Sequence, residues 1–222
     1  KKSYQYFYRS APITLGLGFA FGAIAANTTM DQSMANWYQR QARSKTTDSL
    51  SRNFKVFGTN KDVLIAFASI TSGSILLRKT AIGAHMGEFS QRYLAALLVG
   101  LPTLLLTQNL TGGDRPYQHD GSAWQPFRHD HGVSGHAFLG SLPFLTLAQM
   151  SEKPMIKGAL YLTSTLTGLS RINDDAHYAS QVGLGWLLGY LSVRSVSHCA
   201  QKSMQIAPFV DQYGTSGVSL QK

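Results

Sequence analysis

Apolar residues in this chain fall into long blocks separated by short clusters of charge. Residues 10–30 and 93–113 run for 21 positions each, and 132–151 for 20, without Asp, Glu, Lys or Arg. Shorter blocks of 15, 13 and 16 positions occupy 63–77, 158–170 and 178–193. Within the second long block Leu94, Leu97, Leu98, Leu101, Leu104 and Leu105 recur at helical spacing, with Pro102 placed to kink the helix. The pattern predicts an all-α protein. A helix needs about 20 apolar residues to cross the hydrocarbon layer of a bilayer. Three blocks meet that length and three reach it only with their flanks, so the expected architecture is a helical bundle of six transmembrane helices.

The charges between the blocks bear on this topology. With six spans, Lys1, Lys2 and Arg9, then Arg78, Lys79 and Arg92, then Lys153 and Lys157, then Arg194 and Lys202 all fall on the inner side, as the positive-inside rule requires. The stretch after the first block is the exception, placing Arg40, Arg43, Lys45, Arg52, Lys55 and Lys61 outside. It reads as surface helices with Trp37 and Tyr38 near the lipid headgroups, and it is also the main argument for the alternative, a soluble periplasmic bundle. The first block can instead be read as a secretory signal, because a basic start precedes it. Either reading leaves the functional side facing the periplasm or exterior, at a bacterial-type inner membrane in the first case.

Composition narrows the picture. At 222 residues the chain is expected to form one domain over 1–207, followed by a flexible tail over 208–222 that carries Gly214, Ser216 and Gly217. The net charge of +9 arises because Asp and Glu total only 11 against 20 Lys and Arg. Charged residues are 14% of the chain, so a nucleic-acid-binding surface is not expected. A basic rim on an apolar body suits an anionic substrate and membrane lipids. Cys199 is the only cysteine, which excludes disulfides and thiolate clusters. Gly18 with Gly22, and Gly185 with Gly189, are pairs of small residues that let helices approach closely.

Three short segments at block edges carry the candidate chemistry: Arg115-Pro116, Val133-Ser134-Gly135-His136, and Ser170-Arg171 followed by His177. Guanidinium groups match the oxygens of a phosphoryl group bidentately, so Arg115 and Arg171 are candidate phosphate ligands. Ser134 precedes an apolar run and is a natural N-cap, leaving the Gly135 and His136 amides to form an anion site at a helix start. His136 and His177 can divide nucleophilic attack and leaving-group protonation between them. Gln181, one helical turn after His177, can hold its distal ring nitrogen. The long polar loop 111–132 adds His119-Asp120 and His129-Asp130-His131. Without a complete ligand set at zinc-like spacing these read as solvated loop residues or a gate, and neither metal nor cofactor is expected.

These residues resemble the phosphatidic acid phosphatase type 2 and vanadium haloperoxidase superfamily, whose pattern is Lys-x6-Arg-Pro, Pro-Ser-Gly-His and Ser-Arg-x5-His-x3-Asp. The likeness spans roughly residues 90–195. It implies a helical core and metal-independent dephosphorylation. His177 would be the nucleophile and His136 the general acid, with Arg115, Arg171, Ser134 and the Gly135 amide holding the phosphoryl oxygens. In the membrane branch the substrates are lipid phosphates or polyprenyl diphosphates approached from the outer leaflet. Three positions depart from the pattern: Val133 replaces proline, Gln108 stands where the lysine belongs, and Gln181 stands where the aspartate belongs. The glucose 6-phosphatase branch resembles this chain in having glutamine at the last position. A replacement for the missing cation would have to come from Arg128 or a histidine of the loop. The alternatives are a catalytically weakened member that binds anionic headgroups or serves a larger assembly, and a vanadate-dependent haloperoxidase.

Overall fold

Pro12 starts the helix that carries the first apolar block. In the computed structural model the chain forms α1 over Lys2–Ser10 and α2 over Pro12–Ala26, bent by 53° at the join. Proline at the first helical position has no amide hydrogen to lose and a φ already suited to the helix. Next come α3 (Met30–Trp37), a π-helical turn (Tyr38–Ala42) and α4 (Lys45–Phe54), the last started by a capping box between Ser44 and Thr47. A 3-10 turn, Lys55–Gly58, follows. The structure describes residues 2–58, 65–66, 69–70, 72–74, 80–118, 121–204, 207–210 and 216–219. Most of the expected span over 63–77 therefore lies outside the described residues, as do Lys1, Lys61, Arg78, Lys79, His119 and Asp120.

The second half supplies the body of the bundle. Thr80 caps α5 (Ala81–Thr111), which runs through Pro102 and ends at Gly112 with a left-handed φ of 54°. A Cβ at Gly112 would also stand 1.8 Å from the Gln125 carbonyl oxygen, so only glycine fits this corner. α6 (Gly135–Met150), α7 (Pro154–Asn173) and α8 (Ala179–Met204) complete the bundle. Beyond them the backbone of Ala207–Val210 pairs antiparallel with Ser216–Ser219.

The core is built where α8 meets α5 and α6, around Tyr93, Leu97, Leu104, Phe138, Leu142 and Leu188. Burying side chains of this size stabilises the fold by about 1.5–3 kcal/mol each. Close approach depends on small residues: a Cβ at Gly185 would lie 2.3 Å from the Ser134 carbonyl oxygen, and one at Gly189 2.4 Å from the Ser141 hydroxyl. Gly18 and Gly22 play the same part for α2, against Leu187 and Leu184. The body is all-α, as the sequence predicts.

The count of six spans is not reproduced. Among the described residues α5 alone is long and apolar enough to cross a membrane, and α1 with α2 pass as a bent pair. α6 has 16 residues, or about 24 Å of helix, short of a 30 Å hydrocarbon layer. Outward-facing apolar side chains are nevertheless frequent. On α2, Ile13, Leu17, Phe21 and Ile24 are exposed at helical spacing, and on α5 so are Leu98, Leu105 and Leu106.

Candidate active site

His177 sits in the turn between α7 and α8. The turn is closed by the Ala176 and His177 amides, which donate to the Arg171 carbonyl at 2.8 and 3.2 Å, and Asp175 takes a left-handed φ of 54° to make it. Nδ1 of the buried His177 lies 2.8 Å from Oε1 of Gln181. That oxygen also accepts the Tyr178 amide hydrogen at 3.1 Å, while Nε2 of Gln181 donates to the Asp114 carbonyl at 2.7 Å. A backbone amide can meet only the oxygen of the side-chain amide, and a backbone carbonyl only its NH2 group. The two partners therefore fix the orientation of Gln181, and with it the tautomer of His177: hydrogen on Nδ1, lone pair on Nε2.

Burial lowers the His177 pKa to about 3. The Gln181 hydrogen bond opposes this, whereas Arg115, Arg171 and His136 push it further down. At neutral pH the ring is uncharged with a free nitrogen, as a nucleophile requires.

The same amide ties in the other segments. The Gln181 backbone carbonyl accepts the Ser134 amide at 2.9 Å, bringing the start of α6 against the start of α8. Ser134 is fully buried and caps α6 by accepting the Ala137 amide at 3.2 Å, so its hydroxyl serves the helix rather than lining the cleft. Gly135, His136, His177, Gln108 and Arg115 do line it, together with Leu101, Leu104, Leu105 and Leu139. The cleft has a volume of about 240 Å³. His136 projects from the first turn of α6, and Gly58 packs so closely against it that a Cβ there would come within 2.9 Å.

Arg115 donates to the Tyr117 hydroxyl at 3.2 Å, and Arg171 to Asp174 at 3.4 Å. Nε of each is buried without a hydrogen-bond partner. Arg115 lines the cleft; Arg171 does not, but its charge acts on both His136 and His177. Buried donors are rarely left unpaired, and two guanidinium groups in this state around the histidine pair are suited to an anion.

Several residues that shape the site were not singled out in the sequence. Asp31 of α3 accepts the Ser180 amide at 3.1 Å and the Ser180 hydroxyl, capping α8 one turn from His177. Burial raises its pKa, opposed by those hydrogen bonds. Ser51 donates to Asp174 at 2.7 Å and Lys55 lies 3.6 Å from it, while Tyr38 and Asp48 bond to Asn173. The basic stretch expected to be surface helices thus braces the turn that carries Arg171 and His177. No local pattern signals this, because each partner is more than 100 residues away.

The loop histidines divide. His131 lines the cleft beside Asp130, whereas His129 lies 4.0 Å from Asp114 and Arg128 is exposed and bonded to Gln125. Among the described residues no three His, Cys, Asp or Glu side chains are grouped to hold a metal ion.

Residues 92–205 match the family model of the PAP2 superfamily, a stretch that contains Gln108, Arg115, Ser134, Gly135, His136, Arg171, His177 and Gln181. The chain belongs to the PAP2 superfamily. No curated protein matches it. Among solved structures it is similar to the transmembrane PAP2-type phosphatidylglycerolphosphate phosphatase of Bacillus subtilis, with a TM-score of 0.58 and 20% identity over 86% of this chain and 96% of that one. The likeness is one of fold, and it agrees with the all-α PAP2 architecture expected from the sequence.

Proposed function

We propose that this PAP2 protein is a metal-independent phosphatase acting on a lipid-linked phosphomonoester or diphosphate through a phosphohistidine intermediate. The observation that carries the reading is the fixed tautomer of His177, which lines a cleft together with Arg115 and feels the charge of Arg171, both arginines having an unpaired buried Nε. Nε2 attacks phosphorus, a phosphorus–nitrogen bond forms and the bond to the leaving oxygen breaks. His136 gives that oxygen its proton. In the second step His136 takes a proton from water, whose oxygen displaces His177 and releases phosphate. Arg115, Arg171 and the amides at the start of α6 hold the equatorial oxygens, where charge is concentrated in the transition state.

The apolar side of the cleft supports a lipid substrate. Leu101, Leu104 and Leu105 line it and continue into the exposed Leu98 and Leu106 on α5, a surface that suits an acyl or prenyl chain. Lys153 and Lys157 lie at the ends of α6 and α7 away from the cleft, so the positive-inside rule favours a cleft facing the periplasm or exterior of an inner membrane. The PAP2 neighbour is a phosphatidylglycerolphosphate phosphatase, and phosphatidylglycerolphosphate, phosphatidate and undecaprenyl diphosphate form the first substrate panel. Purified protein is expected to release phosphate from at least one of them in the presence of EDTA. Folded protein that turns over none of the panel contradicts the proposal.

One observation favours a second reading, a weakened member that binds anionic headgroups. Gln108 brings no charge to the cleft, and its Nε2 is spent on the Val133 carbonyl at 2.9 Å. Binding of phosphate without turnover would select that reading.

A further inference from the structure

We propose that His131 is a third cationic phosphate-binding group of this site, a loop-borne imidazolium that supplies the positive charge Gln108 lacks. The inference rests on the phosphatase reading of the site and adds to it a group that neither the motif pattern nor the family match assigns.

The geometry is specific. His131 lines the cleft, and its ring stands edge-on to that of His177 with centroids 6.5 Å apart. Its Nδ1 lies 2.8 Å from an Asp130 carboxylate oxygen. A carboxylate only accepts, so Nδ1 carries hydrogen and Nε2 is left to donate to a ligand once the ring is protonated. Nη2 of Arg115 is 3.5 Å from the same Nδ1 and cannot donate to it in that state, which frees the guanidinium for the same anion. The other candidate cation, Arg128, is committed to Gln125 and does not line the cleft.

The charges facing His131 define a pH response. Burial and Arg115 lower its pKa, His129 lowers it slightly, and Asp130 and Asp114 oppose them. His177 also faces the ring and is neutral at physiological pH. A phosphate dianion held between Arg115 and His131 reverses this balance, because it favours the charged ring. Anion binding is then coupled to proton uptake at His131, and affinity falls as pH rises.

The test is calorimetric binding of inorganic phosphate to the full chain in detergent at pH 5.5 and 8, for the wild type, H131Q and D130N. The ratio of wild-type to H131Q affinity cancels the titration of phosphate itself and of the other site groups. It is expected to be about 10-fold at pH 5.5 and to fall within about twofold at pH 8, a size set by loss of one charge-assisted hydrogen bond. D130N, on an exposed side chain and so harmless to folding, is expected to lie between the two proteins. A ratio of one, or a ratio that does not change with pH, overturns the assignment. Binding needs no turnover, so the two readings fail separately: a His131-dependent step without hydrolysis of any lipid phosphate sinks only the phosphatase reading, and hydrolysis with H131Q unchanged in phosphate affinity sinks only this one.

Discussion

Gln181 is buried at the start of α8 with its oxygen accepting from His177 and Tyr178 and its nitrogen donating to Asp114, whereas Gln108 is half-buried in the last turn of α5 and donates to Val133. By the resemblance read from the sequence, both stand where a charged residue is expected. The two contexts ask different things of an amide. At 181 the task is to orient an imidazole, and an amide does this once its own orientation is fixed by partners of opposite kind. At 108 the task is to meet negative charge, and an amide dipole does that far less well than an ammonium group. On the proposed phosphatase reading, glutamine at 181 is compatible with catalysis, and glutamine at 108 shifts the demand for charge to Arg115, Arg171 and His131.

The largest effect is expected at His177, the group that Gln181 orients. His177→Ala should reduce turnover of any lipid phosphate substrate by about 10⁴-fold or more with the fold intact by circular dichroism. Gln181→Leu should follow at about 10³-fold, because it frees His177 to adopt the other tautomer and leaves the Tyr178 amide and Asp114 carbonyl unpaired, and it should also lower stability by about 2–3 kcal/mol. Gln181→Glu separates orientation from charge. A carboxylate cannot donate to the Asp114 carbonyl 2.7 Å away, so turnover should fall by about 10²-fold even though the His177 pKa rises. An increase in rate would show that the amide is a handicap after all.

Gln108→Lys is the counterpart on the other side of the cleft and should raise kcat/KM by about 10-fold, with tighter inhibition by phosphate. Equal gains from Gln108→Lys and Gln181→Glu would erase the distinction drawn between the two sites.

At physiological pH the smallest effect is the one on stability, which develops only as the pH is lowered. The folded-state pKa of His177, about 3, lies below its ordinary value of 6.5, so the unfolded chain binds a proton between these values that the native protein does not. Stability from this source is fully present above pH 6.5 and is lost as pH falls toward 3, by at most about 1.4 kcal/mol per pH unit. Chemical denaturation of wild type and His177→Gln across this range should show a steeper slope in the wild type, because His131 and His136 also have lowered pKa values and keep part of the slope in both proteins.

Much of the site was legible because its chemistry is local. The Ser134 N-cap, the one-turn spacing of His177 and Gln181 and the close-packing glycines 185 and 189 each follow from positions a few residues apart. What sequence could not give depends on distant pairs. Asp114 holds Gln181 through a backbone carbonyl, which leaves no mark on residue type, and Asp31 caps α8 across 149 positions. His131 looked like a loop histidine with a metal-like neighbour, and only the path of the 112–134 loop brings it to the cleft. The six-span count rested on charge-free runs and is not confirmed: among the described residues α5 passes as a span and α1 with α2 as a bent pair.

The most direct test is rapid alkaline quenching of the protein during turnover of a lipid phosphomonoester, followed by mass spectrometry of its peptides. The account predicts a phosphoryl group on His177 that disappears in His177→Asn together with phosphate release. Undiminished hydrolysis by His177→Asn, or a phosphoryl group on a different residue, would contradict it.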